Sequence, residues 1–73
     1  MNFLTDVVHA EIIDRHLNEN GIGFQYREID YNRVEYNITG EDELLFTLVF
    51  GNQIKFLDMV VNELVDDLLR NAI

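Results

Sequence analysis

The spacing of apolar residues changes twice along this chain, and those two changes constrain the fold more than any other feature. From Phe3 to Asn20 the apolar residues Leu4, Val7, Val8, Ile12, Ile13 and Leu17 recur at helical spacing, with Asp6, Glu11, Asp14 and Glu19 between them. Thr5 or Asn2 is placed to cap this helix, and Gly21 after Asn20 supplies a left-handed stop. Between Ile22 and Phe50 the period becomes two. Ile22, Phe24 and Tyr26 alternate with Gly23, Gln25 and Arg27, and Val34, Tyr36 and Ile38 alternate with Arg33, Glu35 and Asn37. Asp30, Tyr31 and Asn32 suit the turn between these two strands, and Thr39 to Glu43 suits the next turn. Leu44 to Phe50 then predicts a third strand, apolar on both faces. From Asn52, placed as a cap, to about Asn71 the helical period returns.

The predicted class is α+β, in the order αβββα: a three-stranded antiparallel meander with two helices packed on one face, spanning 1–73 as a single domain. At 73 residues the chain falls below the usual ~100–200 residues per domain, so a second core has no room. A domain of this size buries only about 60% of the surface its unfolded chain exposes. There is no cysteine to staple it, which leaves association as the remaining means of support. The last helix points the same way, because it carries two apolar stripes. Ile54, Leu57, Val61, Leu64 and Leu68 form one, and Phe56, Val60, Val65, Leu69 and Ala72 form the other. With one small sheet to cover, Phe56, Val60 and Leu69 are expected to lack an internal partner and to form a homodimer interface.

Fourteen Asp and Glu face five Lys and Arg, a formal net charge of −9. Such a field repels phosphate backbones and anionic membranes and attracts basic partners. The predicted element order is shared with double-stranded-RNA-binding domains. Those modules grip phosphates with a Lys and Arg cluster on the second helix, where this chain has Asp58, Glu63, Asp66 and Asp67. Those four carboxylates, with the run Glu41, Asp42 and Glu43, are the candidate partner-binding residues.

The residues for chemistry are sparse. His9 and His16 lie seven positions apart, roughly 10 Å of helix rise, too far to clasp one ion, and Asp6 with His9 makes only half a site. The acidic run lacks the alternating ligands, central Gly and distant Glu of a calcium loop. With neither Cys nor Ser, the nucleophiles are Thr5, Thr39, Thr47, a carboxylate or Lys55, and none has a base beside it in sequence. Gly21 and Gly23 follow a helix instead of opening one, so there is no phosphate loop. No catalytic residue, metal or cofactor is expected. The first ten residues hold no Lys or Arg and alternate polar with apolar at once, unlike a signal peptide. No apolar run approaches the ~20 residues of a membrane span. A soluble cytoplasmic protein is expected.

These features predict a non-enzymatic interaction protein whose acidic surface engages a basic partner. The most concrete form is an inhibitor that mimics nucleic-acid charge and occupies the site of a nucleic-acid-binding protein. In size and charge it resembles small phage-encoded inhibitors as a class, a likeness of composition and not of motif. The alternative is a homo-oligomeric structural or accessory subunit whose acidity serves only solubility.

Overall fold

In the computed structural model, which describes residues 1–71, the chain runs β1 (Asn2–Asp6), α1 (Val7–Glu19), β2 (Gln25–Glu28), β3 (Arg33–Asn37), α2 (Glu41–Phe50) and α3 (Gln53–Asn71). The class is α+β with an open antiparallel sheet, as the period changes predict. Among the described residues the sheet has three strands in the order β1-β3-β2. The third strand is therefore Asn2–Asp6 and not Leu44–Phe50, so β3 lies between its neighbours and the sheet is not a meander.

Both corrections have a physical cause. A short continuous apolar run does not distinguish a strand from a helix segment. In α2 the decision falls to the ends. Glu41, Asp42 and Glu43, expected in a turn, occupy the first helical turn, where carboxylates meet the positive end of the macrodipole. Gly51, at φ 85°, supplies a backbone conformation open to glycine at the other end. Within α2 the Thr47 hydroxyl donates to the Glu43 carbonyl at 3.0 Å, and Phe46 and Phe50 meet one turn apart with ring centroids 5.3 Å apart. At the N-terminus, Phe3 pairs with Tyr36 and Thr5 with Val34. The ladder continues at both ends, since Ile38 N–H donates to Met1 O at 2.8 Å and Val7 N–H to Asn32 O at 3.0 Å. Without β1, this side of β3 would leave buried backbone groups unpaired.

Other local signals operate as the sequence predicts. α1 ends at Gly21, φ 67°, where Gly21 N–H donates to Asn18 O and Ile22 N–H to Leu17 O at 2.9 Å. That pair of bonds is a Schellman stop, closed by the contact partners Leu17 and Ile22, both buried. The Asp30 carboxylate accepts from Asn32 N–H, Arg33 N–H and Arg33 Nε, each at 2.9 Å, and so shapes the β2–β3 turn. Asn52 caps α3, accepting from Lys55 N–H at 2.9 Å.

The core lies on one face of the sheet. Phe3, Val34 and Tyr36 point into it and meet Ile13, Leu17, Phe46, Phe56 and Val60 from the helices. The opposite face, with Leu4, Gln25, Arg27, Arg33, Glu35 and Asn37, carries no helix, and Arg27 pairs with Glu35 across it at 3.1 Å. Tyr36 is the central side chain. Its ring stacks on Phe3 at 5.3 Å, and its hydroxyl donates to Asp14 Oδ1 at 2.6 Å, with Ala10 O also within 3.2 Å. Burial and the Asp14 carboxylate push this phenol far above its ordinary pKa.

Each of the two stripes of α3 is divided between core and surface: Leu57 and Leu64 of one and Phe56 and Val60 of the other pack inward, whereas Ile54, Val61 and Leu68, and likewise Val65 and Leu69, are exposed. Phe56 and Val60 are each 1% exposed, with Phe56 lodged among Phe46 and Phe50 at centroid distances of 5.0 and 4.5 Å. They are core residues and not an interface. Leu69 remains exposed, and Ala72 lies outside the described residues. Helical spacing identifies two stripes, but contacts across the chain decide which residues of each turn inward.

The helical assignment of α2 makes a direct prediction. In a strand, Phe46 and Leu48 would share a face and cost alike on truncation; in the helix Phe46 is buried and Leu48 is 83% exposed. Phe46→Ala should therefore lower stability by about 3–5 kcal/mol, whereas Leu48→Ala should stay within about 0.5 kcal/mol of the parent. Urea denaturation of the two variants reads the difference, and equal losses would contradict the helix.

Candidate functional site

The sides of the longest helix, α3, differ sharply. One side is inward, through Phe56 and Val60. A second is acidic: Asp58, Glu63, Asp66 and Asp67, with Lys55, Met59, Asn62 and Arg70, line an open groove of about 590 Å³. Asp58, Asn62 and Asp66 recur every four positions and so form a row along the helix. The four carboxylates predicted to share one side thus do line one groove.

Their environments are not equivalent. Glu63 is a clasp between helices, with Arg15 and His16 of α1 both bound to its carboxylate. The hydrogen bond from His16 holds the Glu63 carboxyl below its ordinary pKa; desolvation opposes this, and the charges of His16, Arg15 and Arg70 assist it. Asp67 is half-buried. Asp58 and Asp66 are exposed, and among the described residues neither takes part in an ion pair.

The other predicted acidic set lies on α2 and is largely engaged in the fold. Asp42 Oδ1 accepts from Gly23 N–H at 2.8 Å, and Glu43 lies 3.5 Å from the N-terminal ammonium; only Glu41 is fully open. The two histidines serve separate pairs, His9 at 3.7 Å from Asp6 and His16 at Glu63. Among the described residues no three His, Asp or Glu converge into a metal-holding group.

A third side of α3 turns outward, drawn from both stripes of the spacing: Ile54, Val61 and Leu68 from one and Val65 from the other. Ile54, Val61, Val65 and Leu68 are 73%, 45%, 47% and 61% exposed. Leu57 and Val61 also line a shallow groove of about 260 Å³ with Leu4 and His9. Leu44 and Leu48 form a separate exposed pair on the outer side of α2. Among the described residues no single helix is long and apolar enough to cross a membrane; α2 and α3 meet at a 60° bend.

Sequence spacing finds the acidic side of α3 because that feature is local. The partners of Glu63 and the Asp14–Tyr36 bond are separated by 47, 48 and 22 residues, and no local signal announces them. The chain matches no known family model, no curated protein and no solved structure.

The Glu63 clasp sets a pH dependence. Because its folded-state pKa is depressed, the stability it contributes is present above the unfolded carboxylate value of ~4.3 and is lost as pH falls through the folded value. The stability difference between the parent and Glu63→Gln should be flat near neutrality and shrink as pH drops below about 4. Urea titrations of both proteins from neutral to acidic pH measure this, and a difference independent of pH would mean that the carboxylate charge is not what holds α1 to α3.

Proposed function

We propose that this chain is a non-enzymatic interaction protein whose acidic surface engages a basic protein partner, most concretely a nucleic-acid-binding protein whose phosphate site it occupies. The observation that carries this reading is how the charges are distributed. Three of the five cationic side chains are committed within the fold, Arg15 to Glu63, Arg27 to Glu35 and Arg33 to Asp30. Asp58 and Asp66 are left uncommitted on an exposed helix in a chain of net charge −9. Such a surface steers toward cationic patches and away from phosphate. The second reading, a homo-oligomeric subunit with acidity for solubility, draws its support from the exposed outer stripe of α3.

The recognition test uses Asp58 and Asp66, because reversing Glu63 or Asp67 would disturb packing as well as charge. Proteins captured from the native host on the immobilised chain should be basic nucleic-acid-binding proteins. They should elute as salt rises toward about 1 M, where the screening length falls to about 3 Å. Asp58→Lys with Asp66→Lys should lose them while keeping the parent circular dichroism spectrum. Capture that is unchanged in this variant would remove α3 as the recognition element, and a gel shift with DNA or RNA at physiological salt would contradict the electrostatics altogether.

A further inference from the structure

We infer that the outer edge of β2 pairs antiparallel with the same edge of a second copy of this chain, joining two three-stranded sheets into one of six strands. The β2–β3 ladder uses alternate residues. The Ile29 N–H to Arg33 O bond at 3.0 Å sets its phase, so that Gln25, Arg27 and Ile29 bond toward β3. The N–H and C=O groups of Tyr26 and Glu28 therefore point away from the sheet, and among the described residues nothing bonds them. All four residues of β2 are exposed. The outer edge of β1 differs, because α3 flanks it: Leu57, Val60 and Val61 line a groove with Leu4, Thr5 and Asp6. What completes a free edge is another strand.

The side chains on this edge select which strand. Phe3, Tyr36 and Tyr26 stand in register across β1, β3 and β2 and form one aromatic row on the inner face, with centroid steps of 5.3 and 5.4 Å. The row stops at Tyr26, exposed at the rim of the sheet. A two-fold axis through Tyr26 sets it opposite the partner's Tyr26, and the row then continues into the partner's Tyr36 and the partner's Phe3. On the open face the same register places Arg27 opposite the partner's Gln25, twice by symmetry. Arg27 gives one bond to Glu35 at 3.1 Å and keeps further N–H donors, and the Gln25 side chain offers a carbonyl oxygen to them. Moved two residues toward the hairpin tip, the pair would oppose Arg27 to the partner's Arg27, which is repulsive. Moved two residues toward Gly23, it would leave Gln25 as the one residue of each β2 with a strand partner. The edge therefore complements itself in a single register.

This inference is independent of the basic-partner reading, since the edge and the acidic groove of α3 share no residue. The salt dependences are also opposite. Two chains of −9 repel at long range, so screening tightens the pair, whereas it loosens a complex with a basic protein.

Sedimentation equilibrium of the full chain from about 10 µM to about 1 mM, the range of a small interface, tests it. A monomer–dimer equilibrium is expected, tightening as salt rises from about 0.1 to about 0.5 M. At dimer concentrations the Tyr26 and Glu28 amides should exchange with solvent about tenfold more slowly than in the monomer, and those of Asn2 and Leu4 should not change. Glu28→Pro removes a donor that faces away from β3, so the hairpin keeps its ladder while the dimer is lost. Gln25→Lys, which sets a cation against the partner's Arg27, should weaken the dimer about tenfold, and Gln25→Glu should tighten it. All three effects run against the change in net charge. Leu68→Lys on α3 should leave the dimer intact. Circular dichroism checks that each variant is folded, and the amide exchange and the Gln25 pair decide the matter where the proline variant is not. A monomer at every concentration would overturn the inference, as would a dimer that Leu68→Lys dissociates and Glu28→Pro does not. Protection gained at Asn2 and Leu4, or growth beyond a dimer, would overturn the two-fold pairing of β2, and equal weakening by the two Gln25 variants would overturn its register.

Discussion

The rest of the structure depends on β3 being paired on both sides. Its backbone groups are divided between two neighbours, with Val34, Tyr36 and Ile38 bonding toward β1 and Arg33, Glu35 and Asn37 toward β2. This alternation is the ordinary consequence of antiparallel pairing, and it directs every second side chain of β3 into the helices. Tyr36 occupies the middle of that inner row. Phe3 stacks on it from β1, Tyr26 meets it edge-on from β2, and Asp14 of α1 accepts its hydroxyl bond. One residue thus ties both strands and the first helix together. A chain of 73 residues, with no disulfide and a small core, has few such points.

What the sequence made legible is whatever short-range chemistry decides. The Schellman stop at Gly21, the Asp30 turn and the Asn52 cap each involve residues within five positions of one another, and each was placed correctly. The β2–β3 hairpin and its open polar face follow from strict alternation with no competing pattern. β1 was missed because its five residues merge into the helical period that follows, and because its pairing partners lie about thirty positions away. The segment Leu44–Phe50 was misassigned because an unbroken apolar run fits either element. The charged first turn and Gly51 favour the helix, but only as secondary clues beside the run itself.

The same division applies to the candidate site. The row of carboxylates on α3 is a matter of helical spacing and was visible. That Glu63 is a structural clasp and Asp42 a backbone acceptor was not, since their partners come from α1 and from Gly23. The division of both stripes of α3 between core and surface is the most consequential case. Both stripes have suitable spacing, and what turned Phe56 inward is an aromatic cluster with Phe3, Phe46 and Phe50, all three in elements that sequence patterning misassigned. An error about α2 thus became an error about which side of α3 is free.

Placement of the acidic residues separates charge that serves the fold from charge that does not. Glu41, Asp42 and Glu43 sit at the start of a helix, where each negative charge is favoured by about 0.3–1 kcal/mol, and two of the three have a direct partner. Their acidity is explained by α2 itself. Asp66 and Asp67 sit toward the end of α3, where the same dipole disfavours them and only Arg70 is nearby to offset it. Asp58 gains nothing from either end. A carboxylate that the fold uses needs no external reason to be there, whereas Asp58 and Asp66 are exposed and contribute no pairing to it. The fold therefore accounts for the acidity of α2 and for Glu63, but not for Asp58 and Asp66, and the proposed interaction surface on the long helix rests on those two.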